Sequence, residues 1–188
     1  MDEQSAAAGH KEATYICRMT TPRSERPDMA GYGVTENPEG MLPWSWAEER
    51  LNGSRNFWLV TVNGSGRPHS MPVWGVWMPE RQRWGGGFAG SARKVRNMRS
   101  NDQVVVTNDD SVNVVSIEGQ AVPVAGDDAE PLIRAWVDKY QAELGDDLDA
   151  TREFMHQSSM WEVVPERAFG LIESPAQFST AATRWTWS

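Results

Sequence analysis

Arg93, Lys94, Arg96 and Arg99 crowd one short segment of a chain whose formal net charge is -8. They open a helix-prone stretch, residues 92–100, directly after the glycine-rich run Gly85-Gly86-Gly87-Phe88-Ala89-Gly90-Ser91. A loop entering a helix leaves backbone N–H groups without partners and concentrates the positive end of the helix dipole there. Phosphate groups settle at such places. Arg93 adds a planar fork suited to phosphate oxygens, and Lys94 adds a compact point charge. The chemistry on offer is anion binding. The competing reading is a solvated basic helix face, the ordinary role of a short charge run.

The rest of the chain offers less. Three histidines (His10, His69 and His156) and the single Cys17 lack metal-ligand spacing, so no metal site is expected. His69 reads as a strand-surface residue. The acidic residues between Gly145 and Asp149 read as a solvated loop, not a divalent-ion site. No Ser-His-Asp or Cys-His arrangement suggests a covalent nucleophile, and no catalytic residue is assigned. Tyr140 and solvent are the two candidate proton sources.

The elements that must hold the basic segment are mostly strands. Residues 56–62 form an apolar β-rich run, followed by turn chemistry at Asn63-Gly64-Ser65-Gly66. Residues 67–77 read as a second strand, 83–89 as a third, 103–108 as a fourth and 112–121 as a fifth, with a tight turn at Asp109-Asp110-Ser111. The triple glycine strips side chains from one stretch of sheet, which lets a flat ligand or another backbone come close. Short strands at this spacing predict a small antiparallel barrel in a mainly β protein with a few helices. Residues 42–51 read as a short helix, with Ser45 as N-cap and Glu48 closing a capping box. Helices are expected at 131–140 and 150–157, and final strands at 160–164, 168–172 and 184–187.

Taken in order, the run from residue 41 to 125, with Met71-Pro72-Val73-Trp74-Gly75, Arg93-Lys94, Asn97, Asn101 and Val115 to Ala121, resembles the pyridoxamine-phosphate-oxidase-like split β-barrel family. That family includes FMN-binding and deazaflavin (coenzyme F-420) oxidoreductases. A weaker echo runs through Pro165 to Gly170 and Ala182 to Trp185. The resemblance implies a dimeric split antiparallel β-barrel of the FMN-binding-protein type, with a cofactor at the subunit boundary. It implies that Arg93 and Lys94 grip the cofactor phosphate, with Ser91 beside them, although the family's usual Ser position holds Ala92. It sets the strand from Ser70 through Pro72, Val73 and Trp74 along the tricyclic ring, and Phe88 and Ala89 along the ribityl chain. The Pro-Val-Trp strand is closer to the deazaflavin members. Ser70, Gly75 and Val114 lack polar groups that FMN-binding members carry there, which weights the expectation towards F-420 with FMN as the alternative.

Ten tryptophans have two readings. They fill a small core and its dimer interface, or Trp74, Trp77 and Trp185 wall a cleft for a planar cofactor and a lipophilic substrate. The resemblance implies hydride transfer to a hydrophobic small molecule. A non-catalytic flavin- or haem-binding protein is the alternative of another class. Pyridoxamine-phosphate oxidase activity is disfavoured, because Pro165 to Trp187 lacks the Arg-Leu-His run of those enzymes.

Length and charge bound the remainder. At 188 residues the chain is expected to hold one barrel domain over 41–188, preceded by a flexible extension or strap over 1–40. One cysteine excludes a disulfide framework, and no 18-residue apolar run or secretory segment is read, so a cytoplasmic protein without a membrane span is expected. Net acidity argues against nucleic acid as a partner.

Overall fold

The computed structural model describes residues 21–145 and 147–187. Cys17 and His10 lie outside them, as does the first half of the expected extension. Nine strands form one antiparallel sheet. In chain order they are β1 (Arg23–Glu25), β2 (Phe57–Val62), β3 (Pro68–Val73), β4 (Val76–Met78), β5 (Arg83–Phe88), β6 (Gln103–Asn108), β7 (Asn113–Val124), β8 (Ser159–Ile172) and β9 (Thr183–Thr186). The helices are α1 (Trp44–Gly53), α2 (Arg93–Ser100), α3 (Glu130–Leu144), α4 (Leu148–Gln157) and a single turn, α5 (Phe178–Ala181).

The sheet runs β1-β9-β8-β7-β6-β2-β3, and β5, which carries β4, pairs with β8. Strand β8 curls the sheet: Ser159 to Val163 pair with β5, whereas Arg167 to Gly170 pair with β9. Its other edge pairs with β7 over nearly its whole length. The ring is not closed. Among the described residues no ladder joins β3 to β4, so the barrel is split at that seam. The mainly β antiparallel architecture expected from the strand spacing is therefore the one observed.

The core sits inside the curl. Alternation along β2 turns Phe57, Leu59 and Thr61 inward, against Val106, Ile117, Trp77, Trp84 and Trp185 and against Trp44 and Leu51 of α1. A second apolar cluster lies on the opposite face of β4, β5 and β8, where Leu132, Ile133, Trp136 and Tyr140 of α3 and Met155 of α4 cover Val76, Met78 and Met160.

Four local expectations give way to packing. The single strand over 67–77 breaks at Trp74-Gly75. There the chain crosses the Trp84 indole so closely that a Cβ on Gly75 would lie 2.1 Å from Trp84 Cζ2. The two final strands at 160–164 and 168–172 are one continuous β8, which passes Pro165 with a register shift opposite Glu118 and Gly119. Of the two roles expected of the triple glycine, close approach of a backbone holds at Gly86, where a Cβ would meet Trp74 O at 3.0 Å. Side chains take the space of a flat ligand: a Cβ would meet Leu132 of α3 at 2.6 Å on Gly85, and Met160 of β8 and Met155 of α4 at 2.8 and 2.9 Å on Gly87. Finally, α1 starts at Trp44 with no side-chain cap, so there is no capping box. Glu48 instead accepts from Trp77 Nε1 at 3.3 Å and Gln82 Nε2 at 3.1 Å.

Candidate functional site

The basic helix is anchored over the inner face of β2. Buried Asn97 donates from Nδ2 to Thr61 Oγ1 at 2.9 Å, and Val95 and Met98 enter the core. Asn101 caps the next turn, its Oδ1 accepting from Gln103 N at 3.1 Å. The two asparagines of the motif thus hold the helix in place. The helix entrance is left open: Ala92 precedes it in extended conformation, and no side chain caps its first amides. Arg93 is exposed and Lys94 half-buried, with the Lys94 ammonium 5.3 Å from the Phe88 ring centroid. Burial holds the Lys94 ammonium below the usual lysine range. Arg96 folds back to donate to Ser91 O, bracing the loop. Among the described residues none of Arg93, Lys94, Arg96 and Arg99 forms an ion pair. Asp102 does line the same cavity as Arg99, but among the described residues no carboxylate lies within ion-pair distance of the four cations.

His69 joins them. It pairs with Thr61 across the β2–β3 ladder, so both side chains project to the face that α2 covers. It is half-buried and not the surface residue expected from sequence. Its Nδ1 is buried without a hydrogen-bond partner. Burial first, then Arg93 and Lys94, hold the imidazole below the ordinary histidine range.

From His69, β3 runs as an edge strand, paired among the described residues with β2 alone. Ser70 and Pro72 are exposed, Met71 is 43% exposed, and Val73 is buried. At the far end the chain is pinned by α3. Gly75 N donates to Tyr140 Oη at 2.9 Å, and the Tyr140 hydroxyl lies 2.8 Å from Gly75 O and 2.7 Å from Arg55 O. Lys139 Nζ donates to Gly75 O at 2.9 Å. The backbone groups released by the strand break are thereby satisfied by side chains. Trp74 stacks on Tyr140 with centroids 4.7 Å apart and planes 11° from parallel, and Arg55 lies 5.1 Å from its centroid. Burial pushes the Tyr140 hydroxyl up to about 12 and the Lys139 ammonium down to about 8. With its hydroxyl engaged by the backbone of Gly75 and Arg55, Tyr140 clamps the strand break.

Of the residues singled out from sequence, Arg93, Lys94, Phe88, Ala89 and Ser91 cluster at the α2 entrance, and Ser70, Pro72, Val73 and Trp74 line the adjoining edge. Trp185 is not among them. It is fully buried beside Trp44, with centroids 5.3 Å apart, and Trp77 is likewise core. At the acidic loop, Asp147 caps α4 by accepting from Ala150 N at 2.9 Å, and Asp146 lies outside the described residues.

The split antiparallel barrel places the chain in a class of small β proteins, and comparison with known proteins identifies it. Residues 46–171 match the family model described as pyridoxamine 5'-phosphate oxidase, and the chain belongs to that family. The match runs well past residue 125, where the stronger sequence resemblance stops. Among solved structures, a conserved hypothetical protein from Mycobacterium tuberculosis is 20% identical, with 68% of this chain and 82% of that one covered and a TM-score of 0.58. An F420 reductase is 18% identical over 64% of this chain and 94% of its own, TM-score 0.51. A haem-binding protein from Mycobacterium smegmatis is 17% identical over 67% and 53%, TM-score 0.51. The fold is thus shared by a reductase and a haem protein. No curated protein matches the sequence. Among the described residues no helix is long and apolar enough to cross a membrane.

Proposed function

We propose that the chain is a flavin-type oxidoreductase that reduces a hydrophobic small molecule with coenzyme F-420, FMN being the alternative cofactor. The observation that carries this reading is the α2 entrance: uncapped amides, Arg93 and Lys94 without carboxylate partners, and an orphaned His69 Nδ1 converge beside an unpaired strand edge. The residues present fit a phosphate-bearing planar cofactor. Arg93, Lys94 and the amides behind Ser91 hold its phosphate, and the exposed backbone edge from Ser70 to Trp74 orients its ring. Bound there, the cofactor supplies hydride transfer. The protein's part is to hold the anion, fix the ring against β3 and exclude water. Arg99, at the other end of α2, would supply a positive charge for an F-420-type tail; it lines a cavity of about 570 Å³ with Asn63, Gly66 and the acidic Asp102. One structural neighbour is itself an F420 reductase.

The cofactor site lies at a subunit boundary in this reading, and the protein works as a homodimer in the cytoplasm. Strand β3 leaves a ladder edge open, and beside it the outer face of β2 exposes Trp58 to 46% and β3 exposes Met71 to 43%. Apolar surface next to an unpaired edge is costly to leave in water. The test is a side-by-side titration of intrinsic tryptophan fluorescence with F-420 and with FMN. Saturable quenching by F-420 at lower concentration supports the reading, tighter FMN binding moves it to the alternative, and quenching by neither refutes it.

A further inference from the structure

We propose that His69 is a third cationic arm of the cradle, taking up a proton from solvent as a phosphate settles against Arg93 and Lys94. The inference rests on the phosphate-cofactor reading above. Three observations meet at this residue. Register and the Asn97–Thr61 hydrogen bond put its side chain under α2. Its Nδ1 is enclosed yet unpartnered, and a buried polar atom in that condition is destabilising until something bonds it. The charged groups facing it are Arg93 and Lys94, both on α2, while Thr61 on β2 is neutral.

In the free protein burial first, then the two cations, disfavour the imidazolium. A bound dianion reverses the local field. The imidazolium then gains an attractive charge partner, and the proton affinity of the ring rises. The sign follows from linkage: a group that binds protons more tightly in the complex favours binding as pH falls, by at most about tenfold per pH unit for one proton. Anion affinity should rise as pH falls from 8 to 6, within that limit of about tenfold per pH unit.

A phosphate monoester titrates near pH 6 on its own account, so inorganic sulfate, a dianion throughout this range, is the probe. The full chain is titrated by NMR with sodium sulfate or with sodium chloride at equal ionic strength. The His69 ring signal is assigned by its loss in His69→Gln. The expected result is a rise of at least one pH unit in the His69 midpoint with sulfate, accompanied by shifts of the 93–95 amides, and neither change in the Arg93→Ala/Lys94→Ala variant. A midpoint that stays put, whether or not the amides respond, overturns the proposal. The outcome separates from the cofactor reading: a midpoint raised by sulfate with no quenching by F-420 or FMN leaves His69 standing and removes the cofactor. Tight cofactor binding equal in wild type and His69→Gln at every pH does the reverse.

Discussion

Replacing Tyr140 with Phe removes one oxygen from the clamp that breaks the strand at Gly75. The ring is kept, so its burial and its stack on Trp74 at 4.7 Å persist. Three backbone groups lose a partner: Gly75 N at 2.9 Å, Gly75 O at 2.8 Å and Arg55 O at 2.7 Å. They do not lose equally. Gly75 O keeps Lys139 Nζ at 2.9 Å, and Arg55 is exposed, so water replaces the hydroxyl there. Gly75 N–H alone is left buried with nothing to bond. A buried unsatisfied donor costs about 1–3 kcal/mol, so the expected loss is about 2 kcal/mol. For a chain of this size that is a fall in Tm of about 4–8 °C. Urea denaturation at fixed protein concentration should show the midpoint falling with the slope m unchanged, and hydrogen exchange should show the Gly75 amide losing protection. A loss below about 0.5 kcal/mol, or a Gly75 amide as protected as before, would refute the clamp.

Arg93→Ala and Lys94→Ala should each weaken binding of the favoured cofactor at least about tenfold, since a hydrogen bond to a charged group contributes about 1.5–3 kcal/mol; fluorescence titration against exposed Arg134→Ala as control decides it, and equal losses in all three would return the cluster to general electrostatics. Arg81→Ala should instead destabilise the fold by about 1–3 kcal/mol without touching the cradle, because its guanidinium lies 3.1 Å from fully buried Glu162, which is left to Arg83 alone at 2.7 Å; unchanged stability to urea would contradict this. The Lys139 ammonium, held by burial at about 8 against 10.5 in the unfolded chain, makes stability rise as pH climbs from 8 to 10.5, because the unfolded state then binds more protons. Lys139→Met should abolish that rise and add about 1 kcal/mol at pH 7, part of the full effect being screened by solvent; a pH series of denaturation curves with the slope intact would count against it. Trp58→Glu should shift the protein from dimer to monomer in sedimentation velocity, and an unchanged distribution would remove that face from the interface.

Legibility followed locality. Residues 56–62 and 103–108 carry their own alternation and turn chemistry, so their strands were readable within a residue or so. The break at Gly75 was not, because its causes are Trp84 and Tyr140, the second 65 residues away. Pro165 reads as a strand end, yet β8 passes through it, the missing N–H being absorbed where the register shifts beside Gly119. The side of the sheet that His69 faces was obscured by Pro68, Ser70 and Pro72, which erase the apolar alternation. The signal was nevertheless present two residues at a time: once Val73 is known to point inward, Met71 and His69 must point the same way. For the basic helix, the spacing gave the charges but could not tell a paired cation from a free one. That distinction needed coordinates.

Two devices flank β3, and on the proposed reading their separation is what makes the exposed edge a site. At one end α2 presents its amides, Arg93 and Lys94 beside His69; at the other α3 pins Gly75 and flattens Trp74 against Tyr140. From His69 to Val73 is four residue steps, about 13 Å of extended chain. An anion fixed at the first end therefore lays whatever it carries along the free backbone groups towards the second. Neither device alone selects a ligand: a basic helix entrance accepts many anions, and an open edge accepts many strands. On the proposed reading, the two together favour a ligand that carries both a phosphate and a flat body. On that reading, Arg93 and Lys94 stay without a carboxylate partner because one within reach would compete with the phosphate for the same donors.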